Sequence, residues 1–336
     1  MTNGVIRILG ARDVGVLLSG REQEIIHTVR AAYETHASGE SSLPHSTFLR
    51  FPNDQRNRII ALPAYLGRDF AIAGMKWIAS FPANIERGIE RASAVVVVNS
   101  AVTGQPEAIL EGSIISAKRT AASAALAAQQ LHRAESAQSV GLVGCGVINL
   151  EIARFLLAVF PMIEQFVVFD IDAQRARQFA DKCRGLRAGV QVATTSAIDG
   201  IFSSATLISF ATTAIAPYIS DLSACAAGTT ILHISLRDLT PELILACDNI
   251  VDDVAHVCRM QTSVHLAEQL VQHRSFIRCT LADITSGAAP ARPTPDRIAV
   301  FSPFGLGVLD LAVSKYVLER AAEKDQGVVI SGFLPD

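Results

Sequence analysis

The sequence predicts an α/β protein with a doubly wound parallel sheet in its second half. From Ser139 onward, short apolar runs typical of strands alternate with helical intervals, which is the pattern of a parallel sheet with helices on both faces. Before Ser113, short apolar runs follow one another with Pro and Gly between them, as in a strand-rich region. The 336 residues suffice for two domains of ordinary size.

Composition and charge exclude two classes of function. Hydrophobic residues make up 50% of the chain and charged residues 18%, so large cores are expected and disorder is not. The formal net charge of −3 leaves no excess of Lys and Arg to follow a phosphate backbone, which argues against a nucleic-acid-binding protein. No apolar run reaches the ~20 residues needed to cross a bilayer. These observations favour small-molecule chemistry and no membrane association.

Cysteine and histidine spacing bears on compartment and metal content. The six cysteines are scattered without a CxxC pair, and the N-terminus lacks a basic-then-apolar signal segment, which fits reduced thiols in a cytoplasm. The eight histidines show no HExxH or similar spacing, and His256 and His265 are interpreted as ordinary helix residues. We therefore expect a cytoplasmic protein without a catalytic metal.

The first third of the chain is predicted to contain one helix, then strands, then a longer helix. Ser19 is a candidate N-cap, and the apolar residues that follow it at helical spacing predict an amphipathic helix to about Ala37 that covers a sheet. Strands are predicted at Ile59–Leu62, Phe70–Ala79 and Val95–Asn99, and Thr103-Gly104 offers a hairpin turn before Pro106–Leu110. The Ala- and Leu-rich segment from Ser113 to His132 predicts a connecting helix, with Lys118 and Arg119 in its second turn.

The strands of the parallel sheet are predicted from the apolar runs of the second half. They are Ser139–Val143, Phe166–Phe169, Val190–Ala193, Thr206–Phe210, Thr230–Ser235, Asn249–Val251 and Arg297–Phe301. The proline-rich stretch Ala289–Pro295 is typical of a linker. An amphipathic helix at about Val308–Ala322 and a short strand at Val328–Ile330 then form a tail that we expect to return to the first domain.

A glycine-rich loop predicts a dinucleotide site. The strand ending at Val143 runs into Gly144-Cys-Gly-Val-Ile-Asn149 and then an amphipathic helix, so that backbone amides can meet a pyrophosphate at a helix N-terminus. Asp170 ends the next strand, 21 positions past Asn149, where a carboxylate accepts hydrogen bonds from ribose hydroxyls and repels a 2′-phosphate. NAD is therefore favoured over NADP. Asn149 occupies the position of the third glycine, so helix and strand must tolerate a larger side chain there.

The chain resembles the ornithine cyclodeaminase and mu-crystallin family over nearly its whole length. The similarity rests on the segment from Thr103 to Ala122, where a Thr-Gly-x-Pro turn precedes a helix with Arg-Thr-Ala-Ala, and on Gly74-Met-Lys76, the glycine loop, Ser235-Leu-Arg-Asp238 and Gly305–Asp310. The resemblance implies a Rossmann-type NAD-binding domain at 123–303, inserted into an α+β substrate-binding and dimerisation domain at 1–122 plus 304–336. It also implies a homodimer.

Narrower phrases are similar to one branch of that family, which oxidises N-(2-amino-2-carboxyethyl)-L-glutamate. They are Leu49-Arg50, Arg58 to Pro63, Gly74 to Ile78 and Glu90 to Ser93. This branch implies NAD-dependent formation of 2-oxoglutarate and 2,3-diaminopropionate with NADH release, as a precursor step in siderophore or natural-product biosynthesis.

The resemblance implies three central residues, and each has a competing structural interpretation. Arg119 would grip the substrate α-carboxylate, unless it is a solvated helix-surface arginine. Lys76 would serve as substrate ligand or proton carrier, unless it reaches solvent from a sheet edge. Asp238 would be the acid/base in the attack of water on the iminium, unless it only caps the helix at Pro241–Cys247.

Further site residues complete the prediction. Arg50, Arg91 and Phe304 are candidates for substrate binding, and both arginines could equally be ordinary surface residues. The candidates for cofactor binding are Thr120, Gly144, Gly146, Val147, Ile148, Asp170, Thr212, Ser235 and Leu236. Cys145 is interpreted as structural. Asp252-Asp253 could suggest a paired carboxylate site, but capping and packing are the favoured roles.

Two other functions stay open on the sequence alone. A cyclodeaminase-type lyase would keep NAD bound and recycle it, but ornithine cyclodeaminases carry a glutamate where this chain has Ile60, and an apolar side chain cannot bind the distal amine of ornithine. A non-catalytic binder, comparable to the crystallin branch, would not need Lys76, Arg119 and Asp238 together.

Overall fold

The computed structural model describes residues 4–335, without the side chain of Gln55. It consists of two compact units. Unit 1 comprises the chain up to Arg119 together with the part from Leu306 onward, and unit 2 comprises Thr120–Gly305. Phe304 and Gly305 thus belong to unit 2 and not to the C-terminal part predicted to start at residue 304. The backbone N–H groups of both residues donate to Asp252 of unit 2, at 2.9 and 2.7 Å.

Sixteen strands lie within the described part of the chain. They are β1 (Ile6–Leu9), β2 (Ser41–Ser42), β3 (Thr47–Phe51), β4 (Asp54–Leu66), β5 (Ile72–Ser80), β6 (Ala92–Ser100), β7 (Pro106–Glu111), β8 (Ser139–Val143), β9 (Gln165–Phe169), β10 (Gln191–Thr194), β11 (Leu207–Phe210), β12 (Thr230–His233), β13 (Asp248–Val251), β14 (Ile277–Thr280), β15 (Ala299–Ser302) and β16 (Val328–Ile330).

Eleven α-helices lie within residues 4–335. They are α1 (Ala11–Leu18), α2 (Glu22–Ala37), α3 (Ser113–Leu131), α4 (Val147–Val159), α5 (Ala173–Arg184), α6 (Asp199–Ser204), α7 (Pro241–Ala246), α8 (Val254–Val257), α9 (Ser263–Val271), α10 (Leu281–Thr285) and α11 (Gly307–Glu323). In this range no helix has the length and hydrophobicity needed to cross a membrane.

The sheet of unit 1 is mixed and is covered by helices on one face. Its order is β16-β1-β7-β6-β5-β4-β2, with β3 also paired to β4; β1 and β7 run parallel, and the other pairs are antiparallel. Helix α11 packs on β4 and β5 and against α2. Because side chains alternate along a strand, Gly74 and Lys76 of β5 point to the same face. The C-terminal tail therefore lies in unit 1, as the sequence predicts, and β16 has the predicted bounds Val328–Ile330.

The start of the first long helix was predicted wrongly. Ser19 follows the last residue of α1, a helix that the sequence analysis did not identify, and α2 begins at Glu22 with Arg21 as its N-cap. Gly20, with φ of +67°, supplies the left-handed conformation that separates the two helices. The apolar positions from Ile25 to Tyr33 are nevertheless buried, as the helical periodicity predicts.

The sheet of unit 2 is entirely parallel. Its order is β10-β9-β8-β11-β12-β15-β13-β14. The chain winds outward from β8 through β9 to β10 and then returns to β11 on the other side of β8. Such a reversal opens a crevice at the carboxyl ends of the two central strands, where doubly wound sheets bind ligands. The prediction of a doubly wound Rossmann-type sheet is confirmed; the half-buried edge strand β14 was missed.

Gly74 allows strands and helix to approach closely in unit 1. A Cβ atom at this position would lie 2.2 Å from the carbonyl oxygen of Val97 and 3.1 Å from Cδ2 of Leu311 on α11. Both distances are below ordinary van der Waals contact, and the carbonyl belongs to the neighbouring strand β6. Only glycine therefore fits here, two residues before Lys76.

We predict that Gly74→Ala destabilises the protein by about 1–3 kcal/mol, the usual cost of overpacking. The control is Gly15→Ala, because a Cβ there meets only Cδ1 of Ile114 at 3.9 Å and alanine favours a helix interior. Thermal unfolding should show a lower midpoint for the first variant and an equal or higher midpoint for the second. Equal midpoints for wild type and Gly74→Ala would refute the close-packing argument.

Candidate active site

The glycine loop of unit 2 connects β8 to α4. Gly144 has φ of +90°, and a Cβ there would lie 2.5 Å from the carbonyl oxygen of Ala211, so the turn requires glycine. Gly146 is the N-cap of α4, and no atom lies within 4 Å of the position of its missing Cβ. Val147 and Ile148 form the first helical turn, and the Val147 side chain is half-exposed. The loop thus presents an open helix N-terminus of the kind that binds phosphate.

Asn149 replaces the third glycine of the motif without opening the packing. Its side chain is fully buried, and Nδ2 donates to the carbonyl oxygens of Val143 (2.8 Å) and Gly144 (2.7 Å). Its Oδ1 accepts a hydrogen bond of 2.7 Å from Ser209 on β11. The amide therefore ties α4 to the ends of both central strands.

Asp170 lies directly after β9, beside the glycine loop. Its carboxylate accepts hydrogen bonds from the backbone N–H groups of Cys145 (2.8 Å) and Asp172 (3.0 Å). A carboxylate has about four acceptor sites, so two are left for ribose hydroxyls. Burial, followed by the Asp170 charge, raises the pKa of the Cys145 thiol to about 12, which keeps this cysteine protonated and unreactive.

Asp238 lies at the carboxyl edge of the same sheet within a cluster of hydroxyl groups. Its carboxylate accepts hydrogen bonds from Thr212 Oγ1 at 2.5 Å, from the hydroxyl of the half-exposed Tyr218 at 3.1 Å, and from Ser235 Oγ. The structure thus brings together three of the predicted site residues, Thr212, Ser235 and Asp238. Leu236, between them in sequence, is buried and has φ of +68°.

The environment of Asp238 favours its ionised form. Burial alone would raise the pKa of this carboxyl, but His233 and the hydroxyls of Ser235 and Thr212 outweigh that effect and hold the pKa below its usual range. His233 Nε2 lies 3.1 Å from the backbone N of Asp238 and 3.3 Å from its Oδ2, and Nδ1 lies 3.2 Å from Ser302 Oγ. The ring therefore contacts both the main chain and the carboxylate of Asp238.

The helix-capping role considered for Asp238 is wrong. The N-cap of α7 is Thr240, and the Asp238 side chain is committed to the hydroxyl cluster described above. Sequence reasoning did not identify His233 or Tyr218. His233 lies two residues before the Ser235-Leu-Arg-Asp238 motif, at the end of β12, so its position in the sequence was a usable signal. Tyr218 lies in the connection between β11 and β12, and only the structure shows that this connection returns to Asp238.

In unit 1, Lys76 and Arg119 share one buried carboxylate. Nζ of Lys76 lies 2.8 Å from Oδ2 of Asp310, and Nε of Arg119 donates to Oδ1 at 3.1 Å. Lys76 Nζ also donates to Ser116 Oγ at 3.0 Å. The side chains of Asp310, Lys76 and Arg119 are 0%, 2% and 10% exposed, so two cations and one anion are removed from bulk water.

The structural alternatives for both cations are therefore wrong. Lys76 lies on β5 between β4 and β6, not at a sheet edge, and it does not reach solvent. Arg119 is buried, not solvated. Its guanidinium donates to Asp310 through Nε, and the Nη groups of a planar guanidinium can hold a further carboxylate through two parallel hydrogen bonds. Asp310, which holds both cations, was noted in the sequence only as part of the Gly305–Asp310 motif.

Burial lowers the pKa of Lys76 from its usual 10.5 to about 8. Asp310 opposes this effect because its negative charge favours the ammonium form, whereas Arg119 adds to it. A lysine with a pKa near the physiological range exchanges protons more readily than an ordinary surface lysine, which suits a proton carrier.

The remaining candidates occupy separate places. Arg50 lies on β3 with its guanidinium 5.8 Å from the centre of the Phe48 ring, and Arg91 Nη1 donates to Ser80 Oγ at 2.7 Å. The backbone N–H of Phe304 donates a hydrogen bond to the Asp252 carboxylate, and the centre of the Phe304 ring lies 6.3 Å from that of the His256 ring. Thr120 lies on α3, in the first turn of the part that belongs to unit 2.

The adjacent residues Asp252 and Asp253 have different structural tasks. Asp252 accepts the backbone N–H groups of Phe304 and Gly305, whereas Asp253 caps α8 through the backbone N–H of His256 at 2.8 Å. They do not form a paired acid/base site. Within residues 4–335 no group of three His, Cys, Asp or Glu side chains is arranged to hold a metal ion.

The fold and these residues define a two-unit protein with a Rossmann-type dinucleotide domain and a buried cationic site. The ornithine cyclodeaminase/mu-crystallin family model matches residues 6–325, and the chain belongs to that family. N-((2S)-2-amino-2-carboxyethyl)-L-glutamate dehydrogenase of Staphylococcus aureus is 27% identical to it, over 96% of this chain and 97% of the relative.

Two solved structures extend this similarity. Δ1-pyrroline-2-carboxylate reductase of Thermococcus litoralis, in complex with NADH and L-proline, is 25% identical, with a TM-score of 0.89 over 96% of this chain and 99% of that one. An archaeal alanine dehydrogenase dimer with bound NAD is also 25% identical, with a TM-score of 0.86 over 97% of this chain and 99% of that one. Dehydrogenases and reductases of amino acids and imines thus share the whole architecture.

We predict that Asp310→Asn lowers the pKa of Lys76 below about 8. The substitution removes the charge that favours the ammonium form, while burial and Arg119 continue to favour the neutral amine. The titration can be followed by NMR of ¹³C-labelled lysine ε-carbons, with Lys76→Met identifying the resonance. Asp310→Glu retains the charge and should give a smaller change, whereas an unchanged pKa in Asp310→Asn would contradict the coupling.

Proposed function

We propose that the protein is an NAD-dependent dehydrogenase that oxidises N-(2-amino-2-carboxyethyl)-L-glutamate to 2-oxoglutarate and 2,3-diaminopropionate. The observation that carries this proposal is the buried set of Lys76, Arg119 and Asp310. Two cations against one carboxylate leave a net positive charge in a buried site, which a substrate carboxylate can neutralise. The similarity to amino-acid dehydrogenases and imine reductases supports oxidation at a carbon that bears an amine.

The residues around the glycine loop fit NAD. Gly144 and Gly146 expose the N-terminus of α4 to the pyrophosphate, and Asp170 has acceptor capacity for the ribose hydroxyls. Thr120, Val147, Ile148, Thr212, Ser235 and Leu236 are the further cofactor-binding residues in this proposal. When bound, NAD accepts the hydride from the glutamate α-carbon.

Unit 1 supplies the recognition of the amino-acid part of the substrate. The Nη atoms of Arg119 bind the α-carboxylate through two parallel hydrogen bonds, which fixes the orientation of the α-carbon. Lys76, like Arg119, is paired with Asp310, and it carries a proton during the reaction. Arg50 and Arg91 bind further carboxylates of this tricarboxylate substrate, and Phe304 is the remaining substrate-binding residue in this proposal.

Asp238 promotes the hydrolytic half of the reaction. Loss of hydride converts the secondary amine to an iminium ion, and water must then lose a proton as its oxygen bonds to that carbon. The ionised carboxylate of Asp238 accepts this proton and returns it to the departing amine nitrogen when the C–N bond breaks. The hydroxyl of the adduct loses its proton to water as the C–N bond breaks, so the substrate, NAD⁺ and water give 2-oxoglutarate, 2,3-diaminopropionate, NADH and one proton.

The assembly and cellular setting belong to the same proposal. Unit 1, which comprises the chain up to Arg119 and the part from Leu306 onward, is the substrate-binding and dimerisation domain in this proposal, and the similar alanine dehydrogenase is a dimer. The protein works as a cytoplasmic homodimer and supplies diaminopropionate for siderophore or other natural-product assembly. Ile60 disfavours the cyclodeaminase alternative, since it lies in an apolar row with Phe48 and Ile78 on β3 and β5.

We predict that NAD and N-(2-amino-2-carboxyethyl)-L-glutamate give NADH absorbance with the purified protein, and that L-ornithine and L-alanine do not. Lys76→Ala and Asp238→Asn should each lower kcat by about 100-fold or more, as expected for a lost acid/base. Arg56→Gln, at an exposed arginine paired with Asp54, is the control and should retain activity. Ammonia and proline from ornithine without net NADH would instead identify a cyclodeaminase.

We predict that Asp170→Ser shifts the preference from NADH toward NADPH by about 10- to 100-fold, the range of a few kcal/mol of pocket contacts. The substitution removes both the ribose ligand and the charge that repels a 2′-phosphate. Dissociation constants of the two reduced cofactors, measured by nicotinamide fluorescence, provide the comparison. An unchanged ratio would show that Asp170 does not face the ribose.

A further inference from the structure

The connection between β11 and β12 returns to Asp238 and fixes Tyr218 beside it. The backbone N–H groups of Tyr218 and Ile219 both donate to the carbonyl oxygen of Asp238, at 3.0 and 2.9 Å, and the N–H of Thr240 donates to the carbonyl oxygen of Ile219 at 2.9 Å. The hydroxyl of Tyr218 donates to Oδ1 of the same aspartate at 3.1 Å. The main chain and the side chain of Tyr218 are therefore both attached to Asp238.

The carboxylate of Asp238 has a polar group at each of its acceptor positions. Oδ1 accepts the hydroxyls of Thr212, at 2.5 Å, and Tyr218, whereas Oδ2 accepts the hydroxyl of Ser235 and lies 3.3 Å from Nε2 of His233. A carboxylate has about four acceptor sites. A water molecule therefore has no direct place at this carboxylate unless one of the four groups moves away or passes the proton on.

Tyr218 is the exposed member of this set. It is 48% exposed, whereas His233 is fully buried and Thr212 and Ser235 are half-buried. The Thr212 hydroxyl is also engaged on its acceptor side, because it receives the N–H of Ala214 at 3.1 Å. The phenol oxygen of Tyr218 thus offers water the most open route to the carboxylate.

Two carboxylates help to keep the Tyr218 phenol protonated. Partial burial, the charge of Asp238 and its hydrogen bond raise the pKa of the phenol, Asp170 beside the glycine loop adds to the effect, and the Thr212 hydroxyl opposes it only in part. A phenol that keeps its proton can give it to Asp238 only as it receives another, so it moves protons without becoming charged. Both carboxylates lie at the carboxyl edge of the parallel sheet, where such sheets bind their ligands.

We propose that Tyr218 is a catalytic residue of the hydrolytic step, in which its hydroxyl relays protons between water and Asp238. As the water oxygen bonds to the iminium carbon, the phenol oxygen takes a proton from that water and the phenol proton passes to the Asp238 carboxylate. When the C–N bond breaks, the two transfers run in reverse and the amine nitrogen receives the proton. The relay rests on the proposed function for its substrate, and it gives Tyr218 a role that the hydride transfer does not need.

A titration without substrate tests the hydrogen-bonded pair of Tyr218 and Asp238. Tyr218 is replaced by 3,5-difluorotyrosine, whose phenol ionises near neutral pH, and the ionisation is followed by ¹⁹F NMR. Asp238→Asn removes the negative charge and should increase the ionisation constant of this phenol about tenfold or more, as for a lost hydrogen bond to a charged group. The same replacement of Tyr65, on β4 of unit 1, is the control and should not respond to Asp238→Asn.

The kinetic test separates hydride transfer from hydrolysis, because NADH forms before water attacks. With NAD and N-(2-amino-2-carboxyethyl)-L-glutamate, Tyr218→Phe should form the first equivalent of NADH at a rate within about twofold of wild type and then turn over about tenfold or more slowly, as for a lost acid/base path. Tyr65→Phe removes the hydroxyl of a tyrosine that is 38% exposed and should leave both phases unchanged. A purely structural role of Tyr218 would slow both phases.

The two measurements distinguish a failure of the relay from a failure of the proposed function. Equal slowing of both kinetic phases in Tyr218→Phe, or no slowing, would overturn the relay and leave the proposed function in place. A titration that depends on Asp238, without NADH formation by the wild-type protein, would overturn the proposed function and support proton sharing between Tyr218 and Asp238. Phenol ionisation that is the same with and without Asp238→Asn would overturn that proton sharing and the relay with it.

Discussion

The buried carboxylate of Asp310 is the interaction on which unit 1 depends. Lysine and arginine are rarely buried because moving an unpaired charge out of water costs several kcal/mol. Asp310 bonds to Lys76 and Arg119 at once, and the main-chain segment that carries it is the first turn of α11, which packs on β4 and β5. The helix can hold the carboxylate there because Gly74 lets strands and helix approach closely. The position of the Asp310 carboxylate therefore depends on the close packing at Gly74.

Unit 2 stabilises its carboxylates by a different means. Asp238 accepts hydrogen bonds from hydroxyl groups, and Asp252 accepts three backbone N–H groups, including those of Phe304 and Gly305. Neither carboxylate has a Lys or Arg in an ion pair within the described residues. His233 and the hydroxyl groups hold the pKa of Asp238 below its usual range, whereas burial raises the pKa of Asp252. Asp252 instead fixes the main chain where unit 2 ends.

The sequence predicted the strands and the glycine loop better than the contacts around them. Periodicity and turn residues located β8, β9, β11 and β12 to within one or two residues, since buried parallel strands are continuous apolar runs. The prediction failed at Ser19, because serine is common both at the N-cap of a helix and just after a helix ends. It also failed at β14, because the half-buried residues of this strand do not form an apolar run. Asp310 could not be assigned its role, since its partners Lys76 and Arg119 are distant in sequence.

The candidate functional groups of the two units differ in the sign of their charge. The candidate groups of unit 1 are cations, namely Lys76, Arg119, Arg50 and Arg91, and Asp310 is the carboxylate shared by the first two. The candidate groups of unit 2 are carboxylates, namely Asp170, Asp238 and Asp252. Cations recognise an anionic substrate, whereas carboxylates recognise ribose hydroxyls and accept protons from water. The buried cations of unit 1 thus suit an anionic ligand, and Asp170 and Asp238 of unit 2 lie at the carboxyl edge of the parallel sheet, where Rossmann-type domains bind their cofactor.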